Sequence, residues 1–278
     1  MNTAQLEQTT KDTIRKYKLF TKKDKILVAC SGGKDSTAVL FILHKLGYNV
    51  EAIHVDPTIK KFSEIHIANL KKFCSKHQIK LHILSFKQEF GYSLCYIRSI
   101  LNSKGIKLKS CTICGVLRRY VLNKHVRELG ATKIVTGHNL DDEAQSVMMN
   151  FFRGNMELSA RLGPETGLIK DKRFVPRVKP FYFVPENAIE AYSKKHNFPV
   201  KYGACPCRVG AYRKEVADVL DNLPDKTKLT IVNNLIKQLP LLKKKFKTTK
   251  QPNKCKHCTE PSKKELCQAC TIIKLLRK

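Results

Sequence analysis

Acidic residues are scarce in this chain. Of 278 residues, 23 are Asp or Glu against 53 Lys or Arg, a formal net charge of +30. That imbalance argues for a polyanionic partner, nucleic acid before membrane, with lysine enrichment of a biased genome accounting for only part of it. Long apolar runs are also missing. Stretches such as Thr37 to Leu43 fall far short of the roughly 20 residues that cross a bilayer, which excludes a membrane-spanning helix and a membrane partner of that kind. The first residues, MNTAQLEQTTKD, contain no apolar segment, so no secretion signal is expected and the protein is expected to be soluble and cytoplasmic. No internal repeat recurs at a fixed period. What the chain does have is 42% apolar residues, arranged in regular blocks, enough for a buried core and against a disordered tail.

The blocks alternate between two periods. Lys25 to Cys30, Val50 to Val55, Leu81 to Phe86 and Lys133 to Thr136 read as buried strands. Between them, Asp35 to Leu46, Ser63 to His77 (apolar at Ile65, Ala68, Leu70 and Phe73) and Cys114 to Leu129 read as helices, and Asp141 to Phe152 follows the last strand. The stretch before Cys114 reads as irregular or helical. This alternation predicts an α/β fold, a parallel doubly wound sheet with its ligand crevice at the carboxyl ends of the strands. Arg153 to Pro180 reads as a basic loop, and Pro185 to Asn197, Tyr212 to Leu220 and Lys226 to Phe246 as helices. A polar linker, Thr248 to Lys254, leads to a Cys-rich end. The expected divisions are a helical lead-in over 1–24, a catalytic domain over 25–224, a basic helix and linker over 225–254, and a small zinc-binding module over 255–278.

Ser31-Gly32-Gly33-Lys34-Asp35-Ser36 joins the first strand to the first helix. Paired glycines let backbone N–H groups approach an anion, and the helix N-terminus, Lys34 and the serine hydroxyls add to the attraction. A bare Gly-Gly turn is the plainer alternative. The phosphate loop with four residues between its glycines is absent, which disfavours a kinase or GTPase. Gly137-His138-Asn139-Leu140-Asp141-Asp142 ends the fourth strand; its vicinal carboxylates suit Mg²⁺ beside a triphosphate, or serve as helix caps, or both.

Eleven cysteines in a chain with no visible secretion signal favour metal or sulfur chemistry over a disulfide framework. Cys111 and Cys114 open a helix near Arg118 and Arg119, which predicts lowered thiol pKa values. Cys205 and Cys207 lie far downstream in a loop. A pair plus a distant third cysteine suits an iron–sulfur cluster with one open iron; a redox disulfide and a four-cysteine zinc site fit the spacing equally. Cys255-x₂-Cys258-x₈-Cys267-x₂-Cys270 offers two chelating turns, and two such turns satisfy tetrahedral Zn²⁺ in a closed, structural site. From Lys226 to Lys278 there are fifteen Lys or Arg against Glu260 and Glu265, so the positive charge concentrates around that module.

SGGKDS resembles the PP-loop of the N-type ATP pyrophosphatases, the adenine nucleotide α-hydrolase-like superfamily. Together with CTICGVLRR, GHNLDDEAQ and the late Cys-Pro, it resembles the tRNA 2-thiouridine synthesis (2-sulfurtransferase) family, the TtuA and cytosolic wobble-uridine thiolation group. The resemblance runs from about Tyr17 to the C-terminus. It implies ATP binding by Ala29, Ser31, Gly32, Gly33, Lys34, Asp35, Ser36, His54, Val55, Arg118, Gly137 and Asp142, with Mg²⁺, and catalytic roles for Lys34, Arg118 and Asp142. It further implies a [4Fe-4S] cluster on Cys111, Cys114 and Cys205, and it matches the family's zinc knuckle to Cys255, Cys258, Cys267 and Cys270.

The implied activity is tRNA uridine 2-thiolation. ATP adenylates the C2 oxygen of a flipped-out uridine, releasing pyrophosphate, and sulfur carried as hydrosulfide at the cluster's open iron then displaces AMP. Lys243, Lys244, Lys245 and Lys247 are the expected tRNA contacts. The sulfur donor is sulfide, a persulfide or a ubiquitin-like thiocarboxylate carrier, and the family implies a homodimer. Two departures stand out. Cys207 replaces the usual aromatic after Cys-Pro, and is expected to be a passive thiol rather than a fourth ligand or relay. No cysteine precedes Cys30, so the family's N-terminal zinc knuckle is missing. The rival readings are cytidine 2-thiolation, iron-free persulfide chemistry at Cys111 and Cys114, and a non-catalytic RNA-binding adaptor.

Overall fold

A computed structural model describes residues 1–168, 173–203, 205–207, 212–247 and 252–277. Residues 169–172 of the expected basic loop and 248–251 of the expected linker lie outside them. In chain order the elements are α1 (Thr3–Lys16), β1 (Ile26–Ala29), α2 (Lys34–Lys45), β2 (Val50–Asp56), α3 (Lys60–Lys76), β3 (Leu81–Ser85), α4 (Phe86–Phe90), α5 (Leu94–Ser103), α6 (Ser110–Glu128), β4 (Lys133–Thr136), α7 (Leu140–Phe152) and α8 (Met156–Ser159). Then come β5 (Arg177–Val178), α9 (Glu186–Lys195), α10 (Tyr212–Asp221), α11 (Asp225–Phe246), β6 (Asn253–Lys254), β7 (Pro261–Ser262) and α12 (Gln268–Arg277).

Five strands form one sheet in the order β3-β2-β1-β4-β5, every neighbouring pair parallel. The first three strands wind outward from β1 in one direction and the chain then places β4 on its other side. The loops leaving β1 and β4 therefore diverge and open a crevice at their carboxyl ends, the switch point of a doubly wound sheet. Period-2 side-chain alternation divides the core by face. Ile26, Val28, Ala52 and Val135 pack with Leu6, Leu40, Leu43 and Ile189 on one side. Leu27, Ile53, Val55 and Ile134 pack with Ile97, Ile113, Leu117 and Val121 on the other. Strands buried on both faces need continuous apolar runs, which is what Lys25 to Cys30 supplies.

Two features depart from the sequence expectation. In α3 the buried face is Ser63, His66, Leu70, Phe73 and Cys74, while Ile65 is 37% exposed; the apolar count had picked the wrong neighbour of His66. The edge strand β5 was read as loop, because two residues show no period. The C-terminal module packs on the body of the fold: Ala269, Ile272 and Leu276 of α12 sit in the same core as α5 and α6. There the buried Glu260 binds Arg127 and Asn123 of α6.

Candidate active site

β1 ends at Ala29, and the loop from Ser31 to Gly33 delivers the chain into α2. Gly33 is the N-cap and supplies no side-chain cap, so first-turn N–H groups are available to an anion. The loop holds its own shape: the Ser31 N–H donates to Ser36 Oγ at 3.1 Å, and the Gly33 N–H donates to Ser31 Oγ at 3.3 Å. Gly32 is required twice, by its φ of +86° and because a Cβ there would lie 2.4 Å from His66 Nδ1. Gly137, from the loop after β4, packs its Cα directly on α2, since a Cβ would meet Ser36 N at 2.7 Å.

Lys34 projects into this crevice with its Nζ 2.5 Å from Glu186 Oε1 and 3.3 Å from Asp35 Oδ2. Burial opposes its charge, but these carboxylates outweigh it and hold its pKa above the ordinary lysine value. Asp35 is pushed up to about 6, chiefly by burial, with Glu186 and Asp142 adding and Lys34 opposing. Asn139 Nδ2 donates to Asp35 Oδ1 at 3.3 Å and ties the two loops together.

The vicinal carboxylates have separate duties. Asp141 is buried, accepting from Lys228 Nζ at 2.6 Å and from the Glu186 N–H at 2.7 Å. Asp142 closes a capping box with Asn139 and accepts from Arg213 Nη1 at 3.0 Å. The capping alternative thus holds for Asp142, and the cation partners Arg213 and Lys228 were not singled out in the sequence because they arrive from α10 and α11. Lys228, one of the basic residues after Lys226, is spent on this internal pair.

At the end of β2, His54 is buried and its Nδ1–H donates to the Cys30 carbonyl at 2.7 Å. Burial, then Arg118, lowers its pKa against that hydrogen bond, so the ring is neutral at pH 7 and Nε2 is an acceptor without a protein partner. Val55 follows it into the core. Arg118 Nε is likewise buried and unpartnered. His66 was missed by sequence reasoning. It is buried with neither ring nitrogen bonded, its ring tilted against Phe62 with centroids 4.3 Å apart and pressed on Gly32. Its spacing from Ser63, Leu70 and Phe73 was the available signal.

Cys111 and Cys114 occupy the first turn of α6, and Arg118 stands one turn beyond Cys114 on the same helix. Cys205 and Cys111 are near enough to Cys114 to raise its pKa. The Cys111 thiol lies 3.9 Å from the Cys207 carbonyl oxygen. The fold therefore assembles all three expected cluster cysteines from two distant segments. The predicted lowering fails at Cys114: burial raises its thiol pKa, and Arg118 and Arg119 only offset part of that.

Among the described residues, the four C-terminal cysteines are the one group of three or more His, Cys, Asp or Glu whose ligand atoms lie within 4.8 Å of one another. Cys258 and Cys267 sulfurs are 3.7 Å apart, and backbone N–H groups of Cys267 and Cys270 donate to Cys255 and Cys267 sulfurs at 3.3 and 3.4 Å. Against burial, such amides pull the Cys255 thiol down to about 6. Four converging thiols with amide donors behind them suit a closed tetrahedral ion. Cys111, Cys114 and Cys205 do not converge that tightly.

Lys244, Lys245 and Lys247 are exposed at the end of α11. Lys243 lines a groove of about 1180 Å³ with Lys18, Arg161, Arg177 and Lys263, between the β5 edge and the C-terminal module. No helix of the described residues is long and apolar enough to cross a membrane.

A family model described as the PP-loop domain matches residues 2–201. The tRNA-5-methyluridine(54) 2-sulfurtransferase of Pyrococcus horikoshii is 35% identical over 267 residues, 95% of this chain and 83% of that protein. The Caenorhabditis elegans cytoplasmic tRNA 2-thiolation protein 1 is 28% identical, over 96% and 72%. Among solved structures, the U34-tRNA thiolase NcsA of Methanococcus maripaludis with its [4Fe-4S] cluster superposes with a TM-score of 0.79 at 28% identity, over 96% of this chain and 87% of that one.

Proposed function

This chain belongs to the PP-loop domain family, among the tRNA 2-thiolation proteins, and from that membership we propose that it is an ATP-dependent tRNA uridine 2-sulfurtransferase. One observation carries the reading: α6 bears Cys111 and Cys114 in its first turn and Arg118 in the next, so one rigid element spans a thiol cluster and the nucleotide crevice.

ATP lies with its phosphates on the SGGKDS loop and the N-terminus of α2. Lys34 exchanges Glu186 for phosphate oxygens, and Arg118, buried without a protein partner at Nε, meets the same charge. His54 Nε2, an acceptor at the end of β2, suits the exocyclic amine of adenine. Asp35 and Asp142 border the phosphates, where they would hold Mg²⁺. The C2 oxygen of the uridine attacks the α-phosphate, pyrophosphate leaves, and sulfur then attacks C2 and expels AMP. Lys34 and Arg118 stabilise the charge that develops on the phosphate. Cys111, Cys114 and Cys205 would hold a [4Fe-4S] cluster, which when bound supplies an open coordination position for incoming sulfur. Cys255, Cys258, Cys267 and Cys270 would hold Zn²⁺. The Lys243 groove, with Lys244, Lys245 and Lys247 beside it, would receive tRNA phosphates. The target base leaves its stack to enter the crevice.

Anaerobic incubation of cluster-loaded protein with tRNA, ATP and sulfide, followed by mass spectrometry of nucleosides mapped by position, tests this. We expect 2-thiouridine, pyrophosphate release stimulated by tRNA, and loss of product in Cys111→Ala with zinc retained. 2-Thiocytidine would overturn the substrate, full thiolation by cluster-free protein the cluster, and the lack of any tRNA-dependent pyrophosphate release the enzyme itself.

A further inference from the structure

Cys207 has a partner that no sequence pattern suggested. It shares a small cavity with Cys95, and burial together with the nearby Cys205 and Cys95 thiols raises its thiol pKa. Cys95, on α5, is exposed. Together with Cys111 and Cys114 at the start of α6, five cysteines therefore gather in this region. The cavity, of about 230 Å³, has Cys95, Arg98, Ser99, Asn102, Ser110 and Cys207 in its lining. None of the residues that line it is acidic, and Arg98 supplies a guanidinium suited to a small sulfur anion.

We propose that Cys95 and Cys207 form a sulfur-receiving dithiol that takes sulfane sulfur from a persulfide, R–S–SH, and releases it as sulfide beside Cys205. This rests on the thiolation reading above and names the chemical class of the sulfur donor. Cys95 acts first because it is the exposed member. Its thiolate attacks the outer sulfur of the donor, the donor S–S bond breaks, and R–SH leaves with the proton, so that Cys95 carries the persulfide. Cys207 then attacks the inner sulfur of that persulfide. The Cys95–Cys207 disulfide forms, the terminal sulfur departs, and the proton of Cys207 leaves with it as hydrogen sulfide. The sulfane sulfur has gained two electrons and the two thiols have lost two. A dithiol reductant restores the pair for the next turnover. Proximity favours the second step: an intramolecular attack between thiols that line one cavity does not wait for a collision.

Cys207 follows Cys205 by two residues, so sulfide leaves the dithiol near one of the three thiols expected to hold the cluster.

The test uses iron-loaded protein, freed of reductant under anaerobic conditions, with cysteine persulfide as the probe. Wild type releases stoichiometric sulfide in a single turnover, and peptide mapping finds a Cys95–Cys207 disulfide. Cys95→Ser loses both. Cys207→Ser releases no sulfide and traps a persulfide on Cys95, visible in the intact mass as one added sulfur. Both variants retain iron, and both thiolate tRNA with free sulfide at the wild-type level, because free sulfide bypasses the dithiol. Undiminished sulfide release by Cys95→Ser overturns the proposal. So does loss of iron from Cys207→Ser, which would make Cys207 a ligand. Failure of wild type to thiolate tRNA even with free sulfide would instead strike the thiolation reading, since the persulfide reaction is measured without tRNA or ATP.

Discussion

Asp35 carries its charge in an environment that opposes it. It sits mostly buried beside Glu186 and Asp142, and its pKa rises from 3.8 to about 6. A carboxyl raised in the folded state holds its proton where the unfolded chain has released it. Stability therefore falls as pH rises from about 4 through about 6, and the loss is complete above that range. At 1.36 kcal/mol per pKa unit, the shift corresponds to at most about 3 kcal/mol in the ligand-free protein. Asp35→Asn keeps the oxygen that accepts from Asn139 Nδ2 and removes the charge. Urea unfolding of both proteins, without nucleotide and across pH 4.5 to 8, should show the variant more stable at pH 8 by up to about 3 kcal/mol. The gap should narrow steadily toward pH 4.5. A cation at the phosphates would relieve the same cost, so Mg-ATP should stabilise wild type more than Asp35→Asn. A gap that does not change with pH, or a variant less stable at pH 8, would refute the reasoning, because then Lys34 already compensates the Asp35 charge.

Removing the free acceptor in His54→Phe should weaken ATP binding about tenfold, one lost hydrogen bond to a buried group, while zinc and iron contents stay unchanged; calorimetry of ATP binding measures it. Neutralising Lys243, Lys244 and Lys245 together should reduce the slope of log affinity for tRNA against log salt by about 2 to 3, leaving ATP affinity as it was, and filter binding from low to moderate salt reads it. Stripping metal from Cys255, Cys258, Cys267 and Cys270 with a chelator should lower Tm and speed alkylation of Cys111 and Cys114. The reason is that Glu260 of that module is anchored to Arg127 and Asn123 on the helix that carries them; an unchanged alkylation rate would uncouple the two sites.

Much of this architecture was legible in the order of residues. SGGKDS after an apolar strand, and the two CxxC turns near the C-terminus, are local: the groups that cooperate are within a few residues, so spacing alone brings them together. The first strand was legible because burial on both faces demands an unbroken apolar run. Other features depend on what is placed opposite. Ile65 and His66 are adjacent, and only the packing of α3 on the phosphate loop turned His66 inward. β5 is two residues long and exists because β4 offers it an edge. Cys95 is a single cysteine in an ordinary amphipathic helix, and it came to share a cavity with Cys207 only when α5 was laid beside the Cys205–Cys207 loop.

By itself, then, the sequence determined the alternating fold, the phosphate loop, the four-thiol module and the surplus of positive charge. Each is written in short-range spacing or in composition. Tertiary structure decided which charges are free. It committed Lys228 and Arg213 to the carboxylates at the start of α7, closed Glu186 over Lys34, left His54 and Arg118 with unpartnered buried atoms, and raised Cys114 where arginines alone would have lowered it. Those outcomes follow from burial and from partners many residues away, and no local spacing encodes either.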